Sequence, residues 1–188
     1  MVMEYTAPRR VARSDACVRA ARLRAMVPSD ALAAWCAIPD TIAEVVRDLD
    51  DQALDRHNQK TGMSIRELAH HLVEAQIVAA SIVIAGLGMP GSTYDWSWML
   101  PFGPWMQRLP YRTMPLAASL EASRALSAWV ATVAGGLDDA LLREVQLRDA
   151  PDAALRRVTV ADVLRQEVDH VREHVADIQE TLQGDASP

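Results

Sequence analysis

Residues 159–182, TVADVLRQEVDHVREHVADIQETL, decide how the chain folds. Leu164, Val168, Val171, Val175, Ile178 and Leu182 recur at alternating steps of four and three, the seam of a helix packed in a bundle. Thr159 caps its start together with Asp162, whose charge favours the positive end of the helix, and Gly184 ends it. His170 and His174 stand on one flank of that seam, with Glu167 beside them. Spaced four apart, the two imidazoles lie about one turn apart on the same side, an arrangement suited to joint ligation of a metal ion. Such a pair is half a site and needs a further protein ligand.

The next segment with comparable definition is residues 64–87. Ser64 and Glu67 form a capping box, so a helix starts there. At about 100° per residue, Ile65, Leu68, Leu72, Ala75, Ala79 and Ile82 share one arc. His71 lies on the inner flank of that arc and can be a ligand, whereas His70 lies almost opposite and is expected to face solvent or another subunit. Gly86, Gly88, Pro90 and Gly91 then end the helix and open a long connector with three of the five tryptophans. So many aromatic side chains argue against disorder. Trp96, Trp98, Phe102, Trp105 and Tyr111 are candidates to line a substrate mouth or a subunit contact, against the simpler reading of loop packing.

Pro115 suits the first turn of a helix carrying Leu116, Leu120, Leu126, Trp129, Val130 and Val133 as far as Gly135 and Gly136. A short helix over 137–145 and a polar connector, with only a weak signal for a strand pair, lead back to residue 159. Upstream, Ser29 or Asp30 caps a helix through Leu32, Trp35, Ile42, Val45, Val46 and Leu49, which Pro39 bends or divides. His57 falls in a polar run and reads as a surface residue. Residues 9–25 hold six arginines and form a short basic helix, read as a solvated helix against the bundle rather than a membrane or partner contact.

Composition limits the function classes. The 188 residues fit one domain, 50% of them are hydrophobic, and Ala, Leu and Arg are abundant, which favours an all-α fold. The expected organisation is an extension at 1–28, a helical domain at 29–183 and a disordered tail at 184–188. A net charge of −6 argues against a nucleic-acid partner held by phosphate contacts. The N-terminus has no signal-peptide core and the longest apolar run, 77–87, is too short to span a bilayer, so no membrane partner and a cytoplasmic location are expected. Cys17 and Cys36 read as reduced thiols, Cys36 within the core.

One packed bundle can bring His71, His170 and His174 together, and three imidazoles leave open the coordination position that marks a catalytic site. A His-x-x-x-His pair also arises by chance, and the alternative is hydrogen-bonded core or surface histidines.

The wider pattern narrows this choice. Met63-Ser-Ile-Arg-Glu-Leu-Ala-His-His71-Leu, preceded by AIPDTIAEVVRDLDDQALDRH and followed by Val160-Ala-Asp-Val-Leu and His170-Val-Arg-Glu-His174, resembles the DinB/YfiT-like superfamily over residues 30–182. The resemblance implies a four-helix bundle, often dimeric, here with an extra N-terminal helix and a long aromatic-rich loop between its second and third helices. It also implies a divalent ion, zinc, nickel, iron or manganese, held by His71, His170 and His174. Met63 replaces the family's usual tryptophan, and Glu173 and Asp177 stand where extra histidines are common.

Two activities are implied: transfer of a low-molecular-weight thiol to an electrophile, or metal-assisted hydrolysis. Both depend on lowering the pKa of a bound thiol or water. Glu167 and Glu67 are the candidate acids, although capping accounts for Glu67 and an ion pair on its own helix would account for Glu167. Trp96, Trp98, Phe102 and Trp105 would hold an apolar substrate, and Arg108 or Arg112 a carboxylate. A third possibility is a non-catalytic bundle that keeps the metal for stability or carries a small ligand.

Overall fold

The computed structural model describes residues 28–96, 109–148, 150 and 152–184. Their elements are α1 (Pro28–Val46), α2 (Asp51–Leu54), α3 (Ile65–Gly88), β1 (Thr93–Asp95), α4 (Leu116–Gly135), a 3-10 turn (Ala140–Leu142), β2 (Glu144–Arg148), β3 (Arg156–Thr159) and α5 (Val160–Gln183). The four long helices form a four-helix bundle. The basic segment at 9–25, the tail at 185–188, and Trp98, Phe102, Trp105 and Arg108 lie outside the described residues.

Both expected capping boxes are present, closing the starts of α3 and α5 with Ser64–Glu67 and Thr159–Asp162. Each satisfies amide groups that a helix start leaves bare, worth about 1 kcal/mol. The helix α1 is continuous through Pro39 rather than divided. Proline has no N–H for the Trp35 carbonyl, and the Ser127 hydroxyl of α4 points at that oxygen from 3.4 Å. The inner line of α1 is Ala31, Trp35, Ile38, Ile42 and Val46, all buried. Cys36 lies off that line and is exposed, which corrects its expected place in the core.

The helix α1 packs on α4 and α5, α3 packs on the same two, and α1 and α3 barely meet. The order around the bundle is therefore α1, α4, α3, α5, with the first two long helices of the chain on a diagonal. As a result α3 has a neighbour on each flank and is buried on both. It is the described helix long and apolar enough to cross a bilayer by length and composition, and half of its most apolar window is buried inside the bundle.

The connectors hold more strand than composition predicts. A three-stranded sheet runs β1-β2-β3, β1 parallel to β2 and β2 antiparallel to β3. Glu144–Arg148 pair as a strand instead of extending the expected helix over 137–145, because Val145 and Leu147 point inward at alternate positions. The sheet closes one end of the bundle, where a Cβ on Gly86 would stand 3.2 Å from Val160 Cγ2. At the other end the loop after α2 is fastened to α5: Asn58 donates to the Asp177 carbonyl at 3.0 Å and Arg56 to the Thr181 carbonyl. His57 is exposed, as expected.

Candidate metal centre

His71 leaves α3 on the flank that meets α5, the helix that carries His170 and His174. Ligand atoms of the three side chains all lie within 4.8 Å of one another. The rings meet edge to face, with centroids 5.2 Å apart for His71–His170, 5.3 Å for His71–His174 and 4.7 Å for His170–His174. All three are partly buried, so the cluster is sheltered but reachable.

Each imidazole has a carboxylate three residues away on its own helix. Asp177 Oδ2 lies 2.9 Å from His174 Nδ1. A carboxylate only accepts, so Nδ1 carries the proton and Nε2 presents its lone pair. Asp177 is buried and also receives Lys60 Nζ at 2.9 Å. Burial pushes its carboxyl up, but the hydrogen bonds from Lys60 and His174 outweigh this and hold it below the usual range. Burial and then the neighbouring His170 push the His174 imidazole down, toward the neutral form that a metal ligand needs.

At the other two rings the match is looser. Glu167 Oε2 is 3.7 Å from His170 Nδ1 and Glu74 Oε2 is 3.8 Å from His71 Nδ1, both beyond hydrogen-bond length. His71 Nδ1, Glu74 Oε2 and Glu167 Oε1 are buried polar atoms without a hydrogen-bond partner. Leaving such an atom unpaired costs about 1–3 kcal/mol, and three in one place mark a site whose geometry serves something other than stability. The donor set fits a divalent ion: three imidazoles, acids behind them, and a protein ligand count that leaves a coordination position open.

His70 does not face solvent as its helical phase predicts. It is 1% exposed and faces α4, the other neighbour of α3. Its Nε2 lies 3.1 Å from the Met114 carbonyl and its Nδ1 2.9 Å from Ser119 Oγ. The carbonyl can only accept, so Nε2 carries the proton and Nδ1 receives the Ser119 hydroxyl. Burial pushes this imidazole down, opposed by the Met114 carbonyl and reinforced by Arg66. Tyr111 stacks on it with ring centroids 4.8 Å apart and donates to Glu74 Oε1 at 3.1 Å.

The remaining candidates divide. Glu67 is used at the helix start, taking the Ser64 amide at 2.9 Å and Arg112 at 2.8 Å, so capping accounts for it and Arg112 is already paired. Trp96 follows β1 and packs against the hydrophobic core, its amide bonded to the Arg148 carbonyl at 3.1 Å. Sequence reasoning overlooked Glu74 and the part played by Asp177. The signal was present in both cases, since an acid three positions after a histidine shares its helix face.

The sequence model of the DinB superfamily matches residues 35–178. Among solved structures, the chain is similar to YfiT from Bacillus subtilis, described as a probable metal-dependent hydrolase with an unusual four-helix bundle topology. The two superpose with a TM-score of 0.67 at 18% identity, covering 98% of this chain and 95% of the other, a likeness of fold. No curated protein matches the sequence.

Proposed function

The chain belongs to the DinB superfamily, and on that footing we propose that it is a divalent-metal-dependent enzyme with His71, His170 and His174 as its protein ligands. The observation that carries this reading is the convergence of three ligand atoms within 4.8 Å, on two different helices. A bound divalent ion would lower the pKa of a small nucleophile and polarise the acceptor of a substrate. His174 presents Nε2, because Asp177 occupies Nδ1. Glu167 is buried, faces His170 through Oε2 and has no partner at Oε1. Its role in this scheme is to receive the proton of the nucleophile at Oε1.

The reaction we assign is hydrolysis, with a small molecule as substrate: YfiT is described as a probable metal-dependent hydrolase, and the buried carboxylate of Glu167 suits proton removal from water. Thiol transfer, implied by the family resemblance, uses the same residues with a low-molecular-weight thiol in place of water. The test is reconstitution of the metal-free protein with zinc, nickel, manganese or ferrous ion. It is then offered either ester and amide substrates or small thiols with an electrophile. Metal-dependent turnover of the first group, absent in H170A and lowered about 100-fold or more in E167Q with its metal retained, is expected. Turnover confined to the thiol arm would replace hydrolysis by transfer. Failure of both arms in metal-loaded protein would favour a non-catalytic bundle.

A further inference from the structure

We infer that Glu74 holds His71 in its Nδ1–H tautomer and that Tyr111 holds Glu74, so the segment leading into α4 is tied to the metal centre. The tautomer rests on two facing, unpartnered atoms of this chain's own side chains. What the ring is turned toward rests on the metal reading above.

Glu74 stands three residues after His71 on α3, within reach on the same face. Their facing atoms, Oε2 and Nδ1, are both buried and both without a hydrogen-bond partner at 3.8 Å. The two side chains are 14% and 11% exposed, so water is a poor substitute partner for either. A hydrogen bond between them requires a side-chain rotation from the 3.8 Å separation, and since a carboxylate only accepts, that bond puts the proton on Nδ1 and leaves the Nε2 lone pair outward. The arrangement is already closed one ligand away, where Asp177 stands three residues after His174 and meets Nδ1 at 2.9 Å.

Glu74 is itself held. Its second oxygen takes the Tyr111 hydroxyl at 3.1 Å, which keeps the carboxylate from swinging out to solvent. Tyr111 is fixed by its stack on His70, and the same segment is fastened again by Arg112 on Glu67 and by the Met114 carbonyl on His70. The contacts run from the end of the aromatic connector to α3, and the Tyr111–Glu74 contact leads on to a proposed metal ligand. Glu74 and Tyr111 are positioning residues.

Nitrogen-15 imidazole spectra of the metal-free full-length protein at about pH 8, above the ordinary imidazole range, read the tautomer directly. The expected result is Nδ1–H at His71 in the parent and in E74Q, whose amide oxygen still accepts, and loss of that preference in E74L. Zinc affinity, measured by competition with a chelator, should fall about 10–100-fold in E74L and less in Y111F. The E74L/Y111F double variant should bind no more weakly than E74L alone. An Nε2–H tautomer in the parent, or an unchanged tautomer in E74L, overturns the inference. Should E74L fail to fold, an unchanged zinc affinity in Y111F overturns the tie to the α4 segment. A Glu74-dependent tautomer in a parent that takes up no zinc would uphold the assignment and sink the metal reading instead.

Discussion

Two adjacent histidines on one helix have opposite fates, and the cause is a rotation of about 100° along α3. His71 turns to α5 and joins His170 and His174, while His70 turns to α4 and is spent on Ser119, Met114 and Tyr111. The separation of the two was legible in helical phase, but the burial of His70 was not, because a single apolar arc was taken as the whole inner surface. Burial lowers the pKa of His70, so the unfolded chain takes up its proton first as pH falls. Stability is therefore lost as the pH drops through about 6.5 toward the lower folded value, and His174, shifted the same way, adds to this loss. Denaturant unfolding of the metal-free protein between about pH 7.5 and 5.5 should show this fall. H70N should be less stable throughout, by about 1–3 kcal/mol, and show a flatter pH dependence. An H70N profile parallel to the parent's would contradict the shift assigned to His70.

Between α3 and α4 the packing is polar where periodicity predicts apolar contact. The buried line of α4 is Ser119, Ser123, Ser127, Val130 and Ala134, and Trp129, one of the apolar residues along this helix, is 51% exposed. Gln76, fully buried on α3, gives its Nε2 to Ser127 at 2.7 Å and accepts Ser123 at 2.6 Å. Small hydroxyls on the inner face let the helices approach while every polar atom of the glutamine is paired. Replacing Gln76 by leucine leaves Ser123 without this acceptor and Ser127 with the Trp35 carbonyl, and should cost about 1–3 kcal/mol in urea unfolding. A neutral or stabilising Q76L would show that this ladder is dispensable. Helix starts were legible because capping is local chemistry, as Ser64–Glu67 and Thr159–Asp162 demonstrate. The β2–β3 pair gave only a weak signal and β1 none, because the strands are 3 to 5 residues long and the β1–β2 pairing joins segments separated by the whole of α4.

The bundle as a whole explains why a site forms here. Placing α1 and α3 on a diagonal puts α3 against both α4 and α5, so one helix contributes a candidate ligand on one side and a structural histidine on the other. The sheet closes one end, and the Asn58–Lys60 loop grips α5 at Asp177, the residue behind His174. The three ligand candidates were legible from spacing, phase and family pattern. The acids that orient them were only half legible, since which face of a helix meets which neighbour is a property of the assembled bundle. The decisive measurement is the metal content of protein purified without a histidine tag, compared with H71A and H174A. Close to one equivalent of divalent metal in the parent, lost in both variants while the helical circular-dichroism signal persists, is the predicted result. A parent that holds no metal after reconstitution, or a variant that keeps a full equivalent, would contradict the three-histidine site.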